Sequence, residues 1–149
     1  MNEFAKVRDL SGLEFLKTMI EQGIRPPMAH TLGFRLVEVD DGYAMFEGEV
    51  KKDYYNPLGV GHGGYAATLL DSALGCAIQT RLPKNTPYGT VELKINYIRP
   101  VLVDCGIVRA TANAIHVGRR MGTSEGRLVD ERGKLLAHGS TTCMIYSDP

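Results

Sequence analysis

The chain has 149 residues, enough for one domain with a core and too few for two ordinary ones. Apolar residues make up 44% and charged residues 23%, and 17 basic side chains balance 17 acidic ones, so no excess of charge draws the whole molecule to nucleic acid or an acidic membrane. Cys76, Cys105 and Cys143 are odd in number and form no CxxC pair, which excludes a zinc site or disulfide framework of the usual spacing and points to reduced, buried thiols in a cytoplasmic protein.

The N-terminal MNEFAKVRDL carries charges of both signs and lacks the apolar run of a secretory signal. Ser11 and Glu14 have the spacing of a capping box, and Leu13, Leu16 and Ile20 follow at helical intervals. Gly23 and Arg25-Pro26-Pro27 are expected to stop this helix, leaving a peripheral helical segment over residues 1–29. A hairpin comes next, Phe34–Val39 and Tyr43–Val50, joined by Asp40-Asp41-Gly42. Asn56-Pro57-Leu58-Gly59 reads as a loop. Gly61-His62-Gly63-Gly64 then opens a long helix ending near Arg81, too polar for a membrane span.

The second half is β throughout. Val91 to Ile98 alternates strictly, a strand with one wet face, and Arg99-Pro100 ends it. Ile107–Val117, Arg120–Val129 and Leu135–Tyr146 complete a β-meander, with Asp130-Glu131-Arg132-Gly133 as its last turn. The expected fold is α+β: one domain over residues 1–149, a single antiparallel sheet curled around a buried helix.

Between Val60 and Thr80 the one formally charged side chain is Asp71, set among Leu69, Leu70, Ala73 and Leu74 in a helix expected to be buried nearly all round. An ionised carboxylate there costs several kcal/mol unless bonded or paired, and buried acids opening onto clefts are where catalytic groups are found. Gly61, Gly63 and Gly64 bare the first turn, whose N–H groups lack internal partners and can bind a carbonyl oxygen gaining negative charge. GxxxxGK[ST] is missing, so a nucleotide loop is not indicated. Eight residues separate Gly63 from Asp71, about 12 Å along a helix. Base and oxyanion donor must each lie within roughly 3 Å of the reacting atoms. If both act, the Gly63 end of one chain must meet Asp71 of another, in an isologous dimer with two composite sites.

Asn56, His62-Gly63-Gly64, Asp71, Thr90 and the strand end Tyr97-Ile98-Arg99-Pro100 resemble hotdog-fold acyl-CoA thioesterases of the phenylacetate-degradation type. Val117-Gly118-Arg119 and Gly133-Lys134-Leu135-Leu136-Ala137 extend the likeness, which runs from about His30 to Tyr146. The resemblance implies a long helix wrapped by sheet, dimers that often pair into tetramers, and acyl-CoA hydrolysis without metal or cofactor, CoA being part of substrate and product. By position, Gly63 would give its N–H to the thioester oxygen, Asn56 and His62 would line the site, Asp71 would activate water or attack directly, and Thr90 would hold the water. Gly64 would sit against the substrate. One hotdog branch has threonine one turn after its acid; Gly75 stands there, leaving Thr90 as the hydroxyl to nominate. Arg119 and Arg120, after a glycine at a strand junction, could meet the CoA phosphates. Two other readings share the fold: a dehydratase or hydratase of 3-hydroxyacyl thioesters, and a non-catalytic acyl-CoA-binding module.

Overall fold

The computed structural model describes residues 9–146; the first part of the expected N-terminal segment lies outside them. Helix α1, Gly12–Glu21, begins at the expected capping box: Ser11 Oγ accepts from Glu14 N–H, and the Glu14 carboxylate accepts from Ser11 N–H at 3.0 Å. It ends at Glu21, ahead of Gly23 and the prolines as expected, and the paired prolines then open a second helix, α2, Pro27–Thr31. Pro27 takes the first helical position, where its missing N–H costs nothing.

Strands β1 (Phe34–Asp40) and β2 (Tyr43–Glu49) form the expected hairpin. Gly42 adopts φ +69 in its turn, a left-handed conformation that a side chain would resist. Ala44, Phe46 and Gly48 alternate inward along β2. Helix α3, Gly63–Gln79, follows, then β3 (Tyr88–Tyr97), β4 (Ile107–Val117), β5 (Met121–Val129) and β6 (Leu135–Ile145).

All six strands lie in one sheet of order β1-β2-β4-β5-β6-β3, every pairing antiparallel. The meander holds for β4-β5-β6 and fails for β3, which pairs with β6 at the far edge. The segment after β3 contains Pro100 and a 3-10 turn at Val103–Cys105. It is long enough to cross the sheet, so chain order does not fix strand order there. The result is the hotdog arrangement, a helix wrapped by a curved antiparallel sheet.

Leu69, Leu70, Leu74 and Ile78 of α3 are fully buried, with Val108, Ala110, Ala112 and Leu128 of the sheet. Alanines on β4 let the helix come close, and Ser124 of β5 donates to the Leu74 carbonyl at 2.8 Å. Burial is not all round as expected. Thr68, Asp71, Ser72, Cys76 and Gln79 are only half-buried and mark a stripe turned from the sheet. Among the cysteines Cys143 alone is fully buried; all three are free thiols.

Candidate active site

Asp71 sits on that stripe. Its Oδ1 accepts a hydrogen bond from Thr90 Oγ1 at 3.0 Å. A backbone irregularity makes the pair possible. Strict alternation would place Val91, Leu93 and Ile95 on one face of β3, but the register with β6 shifts between Thr90 and Glu92. The bulge turns Val91 out, 55% exposed, and points Tyr88 and Thr90 toward α3. Tyr88 O–H then donates to Gln79 Oε1 at 2.9 Å.

Asp71 and Thr90 border a cleft of about 440 Å³. Opposite them stand Phe15, Leu16 and Met19 of α1 and Met28 of α2, with Phe34 and Phe46 from the hairpin. Its charged side chains are Asp71, Arg25 and Arg35. The other titratable groups beside Asp71 are held neutral. Burial, then the nearby Asp71 charge, pushes the Cys76 thiol up to about 12. Burial, then Cys76, Cys143 and Asp71, holds the Tyr88 phenol well above its ordinary range. Cys143 is raised chiefly by burial, against a Thr90 hydrogen bond that lowers it.

The second set of nominated residues gathers at the start of α3. Gly61 N–H donates to the Val101 carbonyl at 2.8 Å and His62 N–H to the Tyr54 carbonyl at 2.7 Å, which fixes the entry into the helix. His62 is the N-cap: its Nδ1 accepts from Gly64 N–H at 2.8 Å, leaving Nε2 to carry the proton of a neutral ring. Tyr65 N–H donates to the His62 carbonyl. Gly63 N–H has no acceptor among the described residues. Gly64, nominated for substrate, therefore has its amide engaged, and Gly63 does not. Asn56 Oδ1 accepts from Leu58 N–H at 2.9 Å and Val60 N–H at 3.4 Å, an Asx turn that leaves the amide NH2 to donate. Tyr97 O–H donates to the Gly63 carbonyl at 3.0 Å.

Within one chain the two sets stay apart. The cleft takes in Asp71 and Thr90 but not Asn56, His62 or Gly63, and the helix keeps Gly63 and Asp71 about 12 Å apart. Arg119 and Arg120 are exposed at the β4–β5 turn, beside Met144 and Tyr146, and border neither set. Sequence reasoning did not single out Tyr88, whose neighbours give no signal, nor the role of Tyr97, which depends on β3 lying beside α3.

The Thioesterase superfamily profile matches residues 58–137. A 1,4-dihydroxy-2-naphthoyl-CoA hydrolase from Listeria monocytogenes is 31% identical over 119 residues, 79% of this chain and 94% of the relative. Human acyl-coenzyme A thioesterase 13 is 30% identical over 108 residues, 72% of this chain and 76% of its own length. Among solved structures, a phenylacetic acid degradation protein PaaI from Thermus thermophilus superposes with a TM-score of 0.71 at 32% identity, covering 80% of this chain and 98% of that one. The chain belongs to the thioesterase superfamily. It is a thioester hydrolase built on the hotdog fold.

Proposed function

We propose that the protein hydrolyses acyl-CoA thioesters, with Asp71 as general base and the Gly63 N–H as oxyanion donor, in sites shared between two copies of the chain. The names of its relatives, a naphthoyl-CoA hydrolase and an acyl-CoA thioesterase, support the substrate class. The observation that carries the mechanism is the division of chemistry along α3: a carboxylate bonded to Thr90 at 3.0 Å lies two turns from an amide N–H with no described acceptor.

Strand β3 is the element that joins them. It is a sheet edge, one end tied to Asp71 through Thr90 and the other to Gly63 through Tyr97. Val91 and Tyr97, each 55% exposed, and Ile98 leave apolar surface along it. Antiparallel pairing of β3 with its copy, centred near Leu93 and Lys94, sets Thr90 opposite the partner subunit's Tyr97. Asp71 then faces the partner subunit's Gly63, and the two-fold axis generates a second identical site.

In each site the Asp71 carboxylate takes a proton from water as the oxygen adds to the thioester carbonyl. The tetrahedral oxyanion accepts from the partner subunit's Gly63 N–H. Collapse breaks the C–S bond; the CoA thiolate leaves and takes up the proton, and the free acid departs. The Thr90 hydroxyl fixes one carboxylate oxygen and leaves the other for water. His62, presenting Nε2–H, and the Asn56 NH2 stand beside the Gly63 end to orient the thioester.

The test is free-thiol release from acyl-CoAs. Asp71→Asn keeps the shape and can still accept from Thr90, so a folded oligomer is expected with turnover lowered about 10²- to 10⁴-fold. Undiminished turnover in folded Asp71→Asn would overturn the assignment.

A further inference from the structure

Gly75 is a residue the fold does not need. It lies in the interior of α3, where glycine is disfavoured against alanine by its backbone entropy. Close packing accounts for other glycines here: a Cβ on Gly122 would meet Ile78 Cγ2 at 2.6 Å, and one on Gly126 the Thr111 carbonyl oxygen at 2.6 Å. A Cβ on Gly75 would meet only the Tyr88 ring, Cε2 at 3.5 Å and the hydroxyl at 3.7 Å, both ordinary contacts. The φ of Gly75 is not positive either. Neither sterics nor backbone conformation requires the missing side chain.

The space it leaves belongs to the cleft. Gly75 lies on the cleft wall one helical turn beyond Asp71, about 6 Å along the axis. Across from it stand Phe15 and Met19 of α1, and beside it the Tyr88 ring that the β3 bulge turns inward. We propose that Gly75 is a specificity-determining residue: its bare backbone admits the apolar body of an acyl chain between α3, Tyr88 and the α1 wall, so that the enzyme takes bulky acyl groups in preference to acetyl. This rests on the reading of Asp71 as the base, because that reading puts the thioester carbonyl at the mouth of the cleft. The N-terminal helices become part of the acyl site, a role lying outside the region matched by the superfamily profile, residues 58–137.

The experiment compares wild type with Gly75→Ala and Gly75→Val on acetyl-CoA, octanoyl-CoA and phenylacetyl-CoA, with a Tm, light scattering, and calorimetric binding of the non-hydrolysable octanoyl-CoA thioether. Gly75→Ala is expected to raise Tm by about 2–4 °C, since it removes a helix glycine. The ratio of bulky to acetyl turnover is expected to fall at least about tenfold, the scale on which one methylene is discriminated, and further in Gly75→Val. Thioether binding should weaken in parallel. A wild type that binds the thioether without hydrolysing any CoA ester, with binding lost in Gly75→Ala, would sink the hydrolytic reading and leave Gly75 as the wall of an acyl-binding cleft. Unchanged turnover ratio and thioether affinity in a folded Gly75→Ala protein, no thioether binding by wild type, or a loss of activity that tracks loss of the oligomer, would overturn it.

Discussion

At the scale of single residues, Asp71 stands on a wall where burial pushes the neighbouring thiol and phenol upward. The Cys76 thiol, pushed up to about 12 by burial and then by Asp71, stays protonated and is a poor nucleophile at ordinary pH. The shift has a consequence for stability. Between an ordinary thiol value of 9.0 and about 12 the unfolded chain gives up the Cys76 proton while the folded chain retains it. The unfolded state then binds fewer protons, so stability falls as pH rises through that window and is unaffected by this group below it. Urea midpoints measured between pH 8 and pH 11 are expected to decline, and Cys76→Ala to flatten part of the decline. A Cys76→Ala profile parallel to wild type would remove this group from the account.

At the scale of elements, α1 is docked by its first residue. Gly12 N–H donates to the Leu82 carbonyl at 2.9 Å, and the Gly12 backbone lies so close to the end of α3 that a Cβ would run into the Gln79 carbonyl. Gly12→Ala therefore forces α1 off α3, at a cost of about 1–3 kcal/mol by the usual scale of overpacking, and it opens the cleft wall formed by Phe15 and Met19. A lowered urea midpoint with impaired turnover of long acyl-CoAs is the expected outcome; wild-type stability would contradict the docking.

The elements also mark how far sequence reasoning reaches. The capping box, the Asp41-Gly42 turn, the glycine-led start of α3 and the β4-β5-β6 meander rest on local rules, and each is where those rules place it. The position of β3 beside β6 depends on a crossover with no local signature. The bulge at Val91 was hidden because Val91, Leu93 and Ile95 read as one apolar face, whereas the chain gives Val91 to solvent to bring Thr90 to Asp71. Helix α2 was missed because paired prolines end one helix and can also begin another. Asp71 was legible as an acid of an apolar helix opening onto a cleft; the half-buried stripe it shares with Thr68, Ser72, Cys76 and Gln79 was not, because the apolar residues around them read as a helix buried nearly all round.

At the scale of the molecule, the two halves of the candidate chemistry lie on one rigid helix and cannot converge, while one edge strand is bonded to both. The proposed pairing of two copies along β3 would bring one of each together. One helix position makes the claim testable without disturbing the fold. Gly63 is the first residue of α3 and His62 before it has φ -58 and ψ 134, the backbone that precedes a proline. Gly63→Pro deletes the N–H where a helix tolerates proline best, and the Tyr97 ring, 3.2 Å from a Cβ there, needs to yield only slightly.

Co-expression of Asp71→Asn and Gly63→Pro subunits under two affinity tags is the most direct measurement. Each variant alone is expected to be inactive. In a mixed dimer one site carries both lesions and the other neither, so a random mixture should recover about a quarter of wild-type thiol release, and doubly tagged dimers about half. No recovery in doubly tagged dimers of two folded variants would mean that each site is built within a single chain.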